Sequence, residues 1–293
     1  MPESVITLKL PPCVLIFVLI GIALGSLYGM KGQAIINVGD RFVNTATSYD
    51  TLGFGKFSSE KSLAPFALTV TDFHAKYDPK TNTPEDYKLD VEISYPIESK
   101  AVHKVIKVNS PLTYGSTKIY LQANGYSPMV SIKDKTGKIE FEGAVPFLPQ
   151  DGNLTSSGAI KLPDANPQIG IIGTFTPTYA MTNSKGAVSA FPESLDPRLV
   201  FSVWSGNLGL DSGIPQSVYR VDTSKMTRIG LKSLKVGETY NFNEGSITFV
   251  GWKPWVNIEV GRDPGKLIAL FGALFAVMGL LASLFIGHRK EEE

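Results

Sequence analysis

Two uncharged apolar blocks, one near each end of the chain, constrain the fold most strongly. The first extends from Leu10 to Met30 and the second from Leu267 to Gly287. As a helix, each block of about 21 residues would be roughly 31 Å long, which matches a hydrocarbon core of about 30 Å. Both blocks are therefore predicted to be transmembrane helices.

The two predicted spans leave a large central domain and two short tails. The domain comprises residues 31–266, and the tails comprise residues 1–9 and 288–293. Two spans place both tails on one side of the membrane and the domain on the other. Basic residues flank the spans about equally on both sides, so charge does not decide the orientation. The net charge of +1 also gives no electrostatic reason to expect a nucleic-acid partner.

Small residues recur at helical spacing in each apolar block. Such a face lets another helix approach closely, although small residues are also simply common in membrane helices. The predicted packing residues are Gly21, Gly25, Gly29, Gly272, Ala276 and Gly279. A cleaved signal peptide is the alternative for the first block, with Ala23-Leu24-Gly25 as the cleavage site. The membrane anchor is favoured over the signal peptide for two reasons. Lys9 is the only basic residue before the block, and the apolar run continues beyond the cleavage site to Met30.

Between the blocks, the sequence has the pattern of an antiparallel β domain. Short segments rich in Val, Ile, Thr, Tyr and Phe alternate with turn residues. The predicted strands lie at 65–74, 87–97, 103–109, 118–126, 129–134, 138–148, 168–177, 198–206, 217–222, 240–252 and 255–260. The fold class is therefore mainly β, a sandwich-like domain of one or two lobes, with 183–197 as the break between two lobes. Trp252 and Trp255 either fill the core or contact the membrane surface.

No catalytic or metal-binding motif is recognisable in the central domain. There is no nucleophile elbow, phosphate-binding loop or zinc-protease motif, and the only cysteine, Cys13, lies in the first apolar block. Asp72 and His74 share one face of a predicted strand, which we interpret as a polar strand face rather than the acid–base pair of a hydrolase. His103 is interpreted as a surface histidine. His288 follows the second block, where it is either a polar cap or a heme or metal ligand.

The segment 108–128, VNSPLTYGSTKIYLQANGYSP, combines tyrosines and a glycine-marked turn with a single charged residue, Lys118. It resembles a segment of the ResB-like cytochrome c biogenesis proteins. The matching residues are Val108, Asn109, Pro111, Leu112, Gly115, Tyr120, Gln122 and Gly125. Three further segments are similar to the same family and occur in the same order: 65–77, which contains Asp72 and Phe73, 206–222 and 262–266.

The resemblance implies a membrane subunit of the system II machinery for cytochrome c maturation. That machinery brings heme to the outer face of the membrane and attaches it to the CxxCH motif of apocytochrome c. The resemblance implies a non-catalytic scaffold for a polytopic ResC/CcsA-type partner, while a thioredoxin-like protein keeps the apocytochrome thiols reduced. It implies that the complex handles heme, that both termini are cytoplasmic and that the central domain is extracytoplasmic.

Two departures from the family pattern accompany the resemblance. Such proteins usually have two more membrane helices before the span at 10–30, so the chain is expected to be a truncated reading frame, a fragment or a reduced relative. The entry to that span, SVITLKLPPC, has no histidine where the family often has one, so heme ligation by this chain is not predicted. The alternative function is a membrane-anchored extracellular binding or sensor module with no role in heme handling.

Overall fold

The computed structural model describes residues 12–184, 186–210, 217 and 220–289. Within these residues, a mainly β domain is flanked by two α-helices, α1 at Pro12–Tyr28 and α2 at Lys266–Arg289. Two single-turn 3-10 helices lie at Ala46–Ser48 and Glu60–Ser62. The predicted fold class, mainly β with antiparallel sheets, is confirmed.

Eighteen strands lie in the described residues, and all pairings between them are antiparallel. Their bounds are β1 Met30–Asn37, β2 Arg41–Val43, β3 Thr51–Phe54, β4 Ala67–Tyr77, β5 Pro84–Ser94, β6 Val102–Lys107, β7 Leu112–Tyr114, β8 Thr117–Asp134, β9 Ile139–Ala144, β10 Leu148–Pro149, β11 Ser156–Leu162, β12 Ile169–Thr176, β13 Tyr179–Thr182, β14 Gly186–Ser189, β15 Arg198–Gly206, β16 Met226–Lys235, β17 Thr239–Phe242 and β18 Gly245–Arg262.

In the part of the chain that the structure describes, these strands form three sheets and one separate hairpin. The first sheet has the order β3-β1-β18-β8-β7, with β17 added beside β18 and β9 beside β8. The second sheet has the order β10-β11-β12-β15-β16, and the third has the order β2-β4-β5-β6. Strands β13 and β14 form the hairpin.

Strands β8 and β18 form a long ribbon through the middle of the first sheet. Each has 18 residues, whereas the strands predicted from the sequence stop short of Pro128 and Pro254, which cannot donate to a ladder. The ribbon continues because both prolines face away from the β8–β18 ladder: their carbonyls accept from Val145 N at 3.1 Å, next to β9, and from Val38 N at 2.9 Å, next to β1. Register shifts in β18 on both sides of Pro254 absorb the local irregularity.

Two hydrophobic cores lie along the ribbon, so the domain has two lobes. In the proximal lobe, β1–β7 pack with the half of the ribbon nearest the helices, and Phe66 and Ile258 are buried there. In the distal lobe, β9–β17 pack with the other half, and Phe201 and Phe249 are buried there. The ribbon therefore belongs to both cores and joins the lobes.

The stretch 183–197 is inserted between two strands of the distal lobe, so its interpretation as a break between lobes is wrong. It lies between β12 and β15, which pair directly with each other, and it contains β14 of the hairpin. The stretch also contacts the proximal lobe, where Asn82 Nδ2 donates to the Ala190 carbonyl at 2.9 Å and the Phe191 ring packs against Tyr77. The strand predicted at 217–222 is also absent from the described residues of that segment, 217 and 220–222.

Trp255 is a core residue at the junction of the lobes. Its side chain is 2% exposed, and its indole N–H donates to the carbonyl oxygens of Tyr126 and Phe147, both at 3.1 Å. Trp252 is half-buried and packs edge-on against Tyr126, with ring centroids 5.2 Å apart. Of the two interpretations of this tryptophan pair, core packing agrees with the structure.

The two helices lie side by side and run in opposite directions. β1 follows α1 after Gly29, and β18 ends at Arg262 shortly before α2. Because β1 and β18 are paired neighbours, they bring the adjoining ends of the helices together. Over the described residues, neither helix has the combination of length and apolar character needed to cross a membrane.

Candidate functional site

A cleft with a volume of about 650 Å³ lies where the helices meet the proximal lobe. Its walls come from the end of α1, the starts of β1 and α2, β3 and the neighbouring ends of β8 and β18. A second cleft of about 630 Å³ adjoins it and shares Lys118, Tyr120, Gln122 and Lys266 with it. We call the two together the helix-foot cleft.

The segment 108–128 forms one wall of the helix-foot cleft. Successive side chains of a strand point to opposite faces, and Lys118, Tyr120 and Gln122 of β8 line the cleft. Ile119, which alternates with them, is buried in the core of the proximal lobe, and Leu121 packs against that core and lines the second cleft. The tyrosine and glutamine of the family motif thus lie on the cleft side of this strand.

Two residues with positive φ shape the loops that lead into this wall. Gly115, in the turn between β7 and β8, has a φ of +56°, which glycine adopts without steric cost. Asn109 has a φ of +62°, a conformation that asparagine tolerates better than most residues. Asn109 and Pro111 line the second cleft, while Leu112 packs against the proximal core.

Besides Leu112 and Gly115, three further residues of the family motif lie away from the helix-foot cleft. A β-carbon on Gly125 would be 2.6 Å from Cε2 of Trp255, so this glycine makes room for the buried indole. Asp72 accepts a hydrogen bond from the Phe73 amide at 2.7 Å. The Phe73 ring stacks on Tyr87, with centroids 6.0 Å apart. The motif therefore combines cleft residues with residues that support the lobes.

The two acidic residues of the cleft already have partners. Lys31 Nζ lies 2.9 Å from Glu259 Oε2, and the amide of Gln33 donates to the same oxygen at 3.4 Å. Asp263 Oδ1 accepts a hydrogen bond from the backbone N–H of Gly265 at 3.0 Å, just before α2. Glu259 is balanced by Lys31, whereas Asp263 keeps its negative charge, because its hydrogen-bond donor is neutral.

The basic residues of the cleft exceed its acidic residues by four to two. The Arg262 guanidinium donates to the carbonyl oxygens of Ser62 and Tyr28, both at 3.2 Å, and these acceptors are neutral. Among the described residues, neither Lys118 nor Lys266 forms an ion pair. The helix-foot cleft is therefore electropositive and suited to an anionic group.

His74 and His103 flank the buried carboxylate of Asp90, an arrangement that the sequence did not predict. His103 Nε2 lies 3.0 Å from Asp90 Oδ1, and His74 Nε2 lies 3.1 Å from Asp72 Oδ2 and 3.9 Å from Asp90 Oδ2. Lys88 Nζ lies 2.8 Å from Asp90 Oδ2. The hydrogen bond from Lys88, followed by that from His103, holds the pKa of Asp90 below its usual value, while burial opposes this effect.

These side chains come from β4, β5 and β6, which are adjacent in the third sheet. Both histidine side chains are largely exposed. In the part of the chain that the structure describes, no three His, Cys, Asp or Glu side chains are arranged to hold a metal ion. The cluster acts as an electrostatic network on the sheet face.

Several of the predicted helix-packing residues lie between the two helices of this chain. A β-carbon on Gly21 would be 2.5 Å from the backbone nitrogen of Ala269. A β-carbon on Gly272 would be 2.9 Å from Cγ2 of Val18. Gly25 lines the cleft at the foot of the helices. Packing against the helices of a partner stays a prediction.

The other predicted residues of the helices occupy different positions. Gly29 lies at the junction of α1 and β1 and lines the cleft. Ala276 and Gly279 are half-buried on α2. His288 falls in the last turn of α2, and its role as a heme or metal ligand stays untested.

The comparisons with known proteins agree with the resemblance carried by 108–128. No curated protein was found to match the chain. The model of the ResB-like family matches residues 13–291, which include the β domain and nearly all of both helices. This family is membrane-associated and takes part in cytochrome c biogenesis. Because the match covers almost the whole sequence, the chain belongs to the ResB-like family.

Proposed function

We propose that this chain is a non-catalytic, membrane-anchored subunit of a system II cytochrome c maturation complex. It supports the delivery of heme and its covalent attachment to apocytochrome c, as a scaffold for a ResC/CcsA-type polytopic partner. Heme is the cargo of the complex, and a thioredoxin-like reductant keeps the apocytochrome thiols reduced. The observation that carries the proposal is the ResB-like match over residues 13–291.

The outer surface of the helix pair supports the membrane anchor. Large apolar side chains of both helices are exposed: Ile16, Phe17, Leu19, Ile20 and Ile22 on α1, and Leu267, Leu270, Phe271, Leu274, Phe275, Val277, Met278 and Leu281 on α2. A contiguous apolar surface of this kind is unfavourable in water and marks a membrane or protein contact. We propose that the helix pair lies in the membrane, with the β domain extracytoplasmic and both termini cytoplasmic.

Aromatic and basic side chains at the foot of the helices support the same placement. Tyr28, the last residue of α1, contacts the ring of Phe57, with centroids 5.4 Å apart. Phe57 is 60% exposed, and Lys56 Nζ lies 6.0 Å from the centre of its ring. Amphipathic aromatic and basic side chains are enriched where a membrane meets water. This cluster would lie at the outer surface of the membrane.

The edge strand β6 is the part of the scaffold that we propose for apocytochrome c. β6 lies at the end of the third sheet, and an extended peptide can add a strand to such an edge through backbone hydrogen bonds. Val102 and Val105 of this strand are exposed apolar residues. The extended segment around the CxxCH motif of an apocytochrome would pair here and be presented to the partner that carries heme.

Affinity purification of the tagged full chain from its own membranes tests the proposal. The sample is prepared in mild detergent, the co-purifying chains are identified, and the visible absorption spectrum is recorded. The proposal predicts a polytopic ResC/CcsA-type partner and a Soret band. A tagged, unrelated two-helix membrane protein from the same membranes is the control. A lone chain without heme would contradict the proposal and favour the membrane-anchored binding or sensor module.

A further inference from the structure

We propose that the helix-foot cleft binds the phosphate of an anionic phospholipid, held between Lys118 and Lys266, with the acyl chains lying along α2. This inference rests on the membrane anchor of the proposed function. It adds to that function a specific lipid site where the helices meet the β domain, formed by residues that are distant in sequence and adjacent in the fold.

The position of Lys266 is the first reason. Lys266 is the first residue of α2 and lines both parts of the cleft. The next residue, Leu267, is 64% exposed, and Leu270 and Phe271 continue the exposed apolar surface one turn further along. A charged cleft thus opens directly onto an apolar surface, as a molecule with an anionic head and apolar tails requires.

The charge of the cleft is the second reason. Glu259 is paired with Lys31, which leaves Lys118, Arg262 and Lys266 in the cleft against the single carboxylate of Asp263. Lys118 is half-buried in the wall and has no ion-pair partner among the described residues. A partly buried ammonium group without a counter-ion favours an anionic ligand, and a phosphate accepts hydrogen bonds from several donors at once.

The neutral lining is the third reason. Tyr120, Gln122 and Ser116 bring a phenol, an amide and a hydroxyl to the same cleft, and all three can donate to phosphate or glycerol oxygens. The volume of about 650 Å³ falls within the range of roughly 300–1,000 Å³ that is typical of small-molecule sites. A polar headgroup therefore fits by both size and chemistry.

Gly261 leaves space in the cleft because it has no side chain. Gly261 lies on β18 opposite Lys118 and lines the cleft. A β-carbon on Gly261 would meet no atom closer than the carbonyl oxygen of Met30 at 3.9 Å. A larger side chain at this position would therefore occupy the cleft without a clash at its β-carbon. This allows a steric test of the site that is independent of charge.

The experiment uses the full chain, purified in mild detergent and studied by native mass spectrometry. The probes are dioleoyl phosphatidylglycerol, dioleoyl phosphatidylcholine and inorganic phosphate. The variants are Lys118→Gln/Lys266→Gln, Lys118→Arg/Lys266→Arg and Gly261→Leu. The controls are Lys100→Gln/Lys232→Gln, which removes two exposed lysines elsewhere, and Gly251→Leu, which alters β18 outside the cleft at a site with open space. Thermal unfolding of every variant verifies its fold.

We expect the wild-type chain to retain phosphatidylglycerol in preference to phosphatidylcholine. Loss of the two lysines should weaken this retention roughly thirtyfold, since each basic residue at a membrane surface contributes a factor of about five. Gly261→Leu should also lose the lipid, whereas the arginine variant and both controls should keep it. Unchanged retention by Lys118→Gln/Lys266→Gln would overturn the proposal. Tight binding of inorganic phosphate without a lipid preference would also overturn it and assign the cleft to a free anion.

A separate measurement distinguishes failure of this inference from failure of the proposed function. Alkaline carbonate extraction of native membranes reports whether the wild-type chain is anchored. If the chain is released, the anchor fails and the lipid site fails with it. If the chain remains in the membrane and the glutamine variant retains phosphatidylglycerol as the wild type does, only the lipid site is overturned.

Discussion

The backbone of Gly21 in α1 lies against the backbone of Ala269 in α2, where a β-carbon on Gly21 would be 2.5 Å from the Ala269 nitrogen. A β-carbon on Gly265, just before α2, would likewise clash with the carbonyl oxygen of Gly21. Because the backbones are in contact, neither Gly21 nor Gly265 can be replaced by a larger residue without a clash. The two helices therefore pack directly against each other at the end of the paired strands β1 and β18.

The substitution Gly21→Leu should separate the helices at this contact. Overpacking of a tight interface costs about 1–3 kcal/mol of folding free energy, so we expect a lower melting temperature of the full chain in detergent, measured by circular dichroism. Ile22→Leu is the matched control, because Ile22 is 60% exposed on the same helix. A melting temperature of Gly21→Leu equal to that of Ile22→Leu would show that the helices are not packed as described.

Gly125, a residue of the family motif, is expected to be structural. Gly125→Ala would place its β-carbon 2.6 Å from Cε2 of the buried Trp255 indole, and the expected loss is about 1–3 kcal/mol of unfolding free energy. Gly251→Ala is the control on the neighbouring strand, since no atom lies within 4 Å of its β-carbon. Chemical denaturation should separate the two variants clearly. Equal stability would remove the packing role assigned to Gly125.

The indole N–H of Trp255 should contribute to stability through its two acceptors. Trp255→Phe leaves the carbonyl oxygens of Tyr126 and Phe147 without this donor in the core, which costs about 1–3 kcal/mol. Trp204→Phe is the control, because its N–H donates at 2.9 Å to the hydroxyl of Ser202, a half-buried residue. We expect a larger fall in the urea midpoint for Trp255→Phe. The reverse order would contradict the described junction of the lobes.

The lowered pKa of Asp90 should make the free energy of unfolding fall at acidic pH. Its pKa is held below the usual value, first by the hydrogen bond from Lys88 and then by that from His103. A carboxyl group with a lowered pKa in the folded state stabilises the fold above its unfolded pKa of about 3.9 and loses this contribution as the pH falls through the folded value. Stability should therefore decline below about pH 4, and Lys88→Gln should make this decline shallower.

The measurement is the urea midpoint of unfolding between neutral pH and about pH 2.5, across the range in which carboxyl groups titrate. Lys100→Gln is the control, because Lys100 is exposed and lies outside the cluster. Identical acid limbs for Lys88→Gln and the wild type would show that Asp90 is not held ionised by its neighbour. If the urea midpoint of Lys100→Gln falls with pH as that of the wild type does, a general effect of losing one positive charge is excluded.

The main features of the fold were predictable because they depend on local patterns. β4 and β5 carry alternating branched and aromatic residues, and the helices coincide with the apolar blocks. β11 was not predicted because its sequence, SSGAIKL, begins with four small residues and contains no aromatic residue. The reason is visible in the distal core, where a β-carbon on Gly158 would lie 2.6 Å from Cγ of Phe147. A strand that must accommodate a neighbouring ring has a composition that sequence patterns do not favour.

The candidate site was predictable only in part. The family motif identified Tyr120 and Gln122, but nothing local distinguishes Lys118 or Lys266 from other lysines. Their proximity depends on the pairing of β8 with β18 and on the start of α2 directly after β18. The Asp90 cluster was missed for the same reason, since His103 and Asp90 meet only across the pairing of β5 with β6.

The most direct test of the central claim is the level of mature c-type cytochromes after removal of the gene from its native host. Heme-stained membrane proteins are compared between the deletion strain, the same strain complemented with the full chain, and the wild type, with apocytochrome levels measured in parallel. We expect covalent heme staining to be lost in the deletion strain and restored by complementation. Wild-type levels of holocytochrome c without the gene would contradict a role in heme attachment.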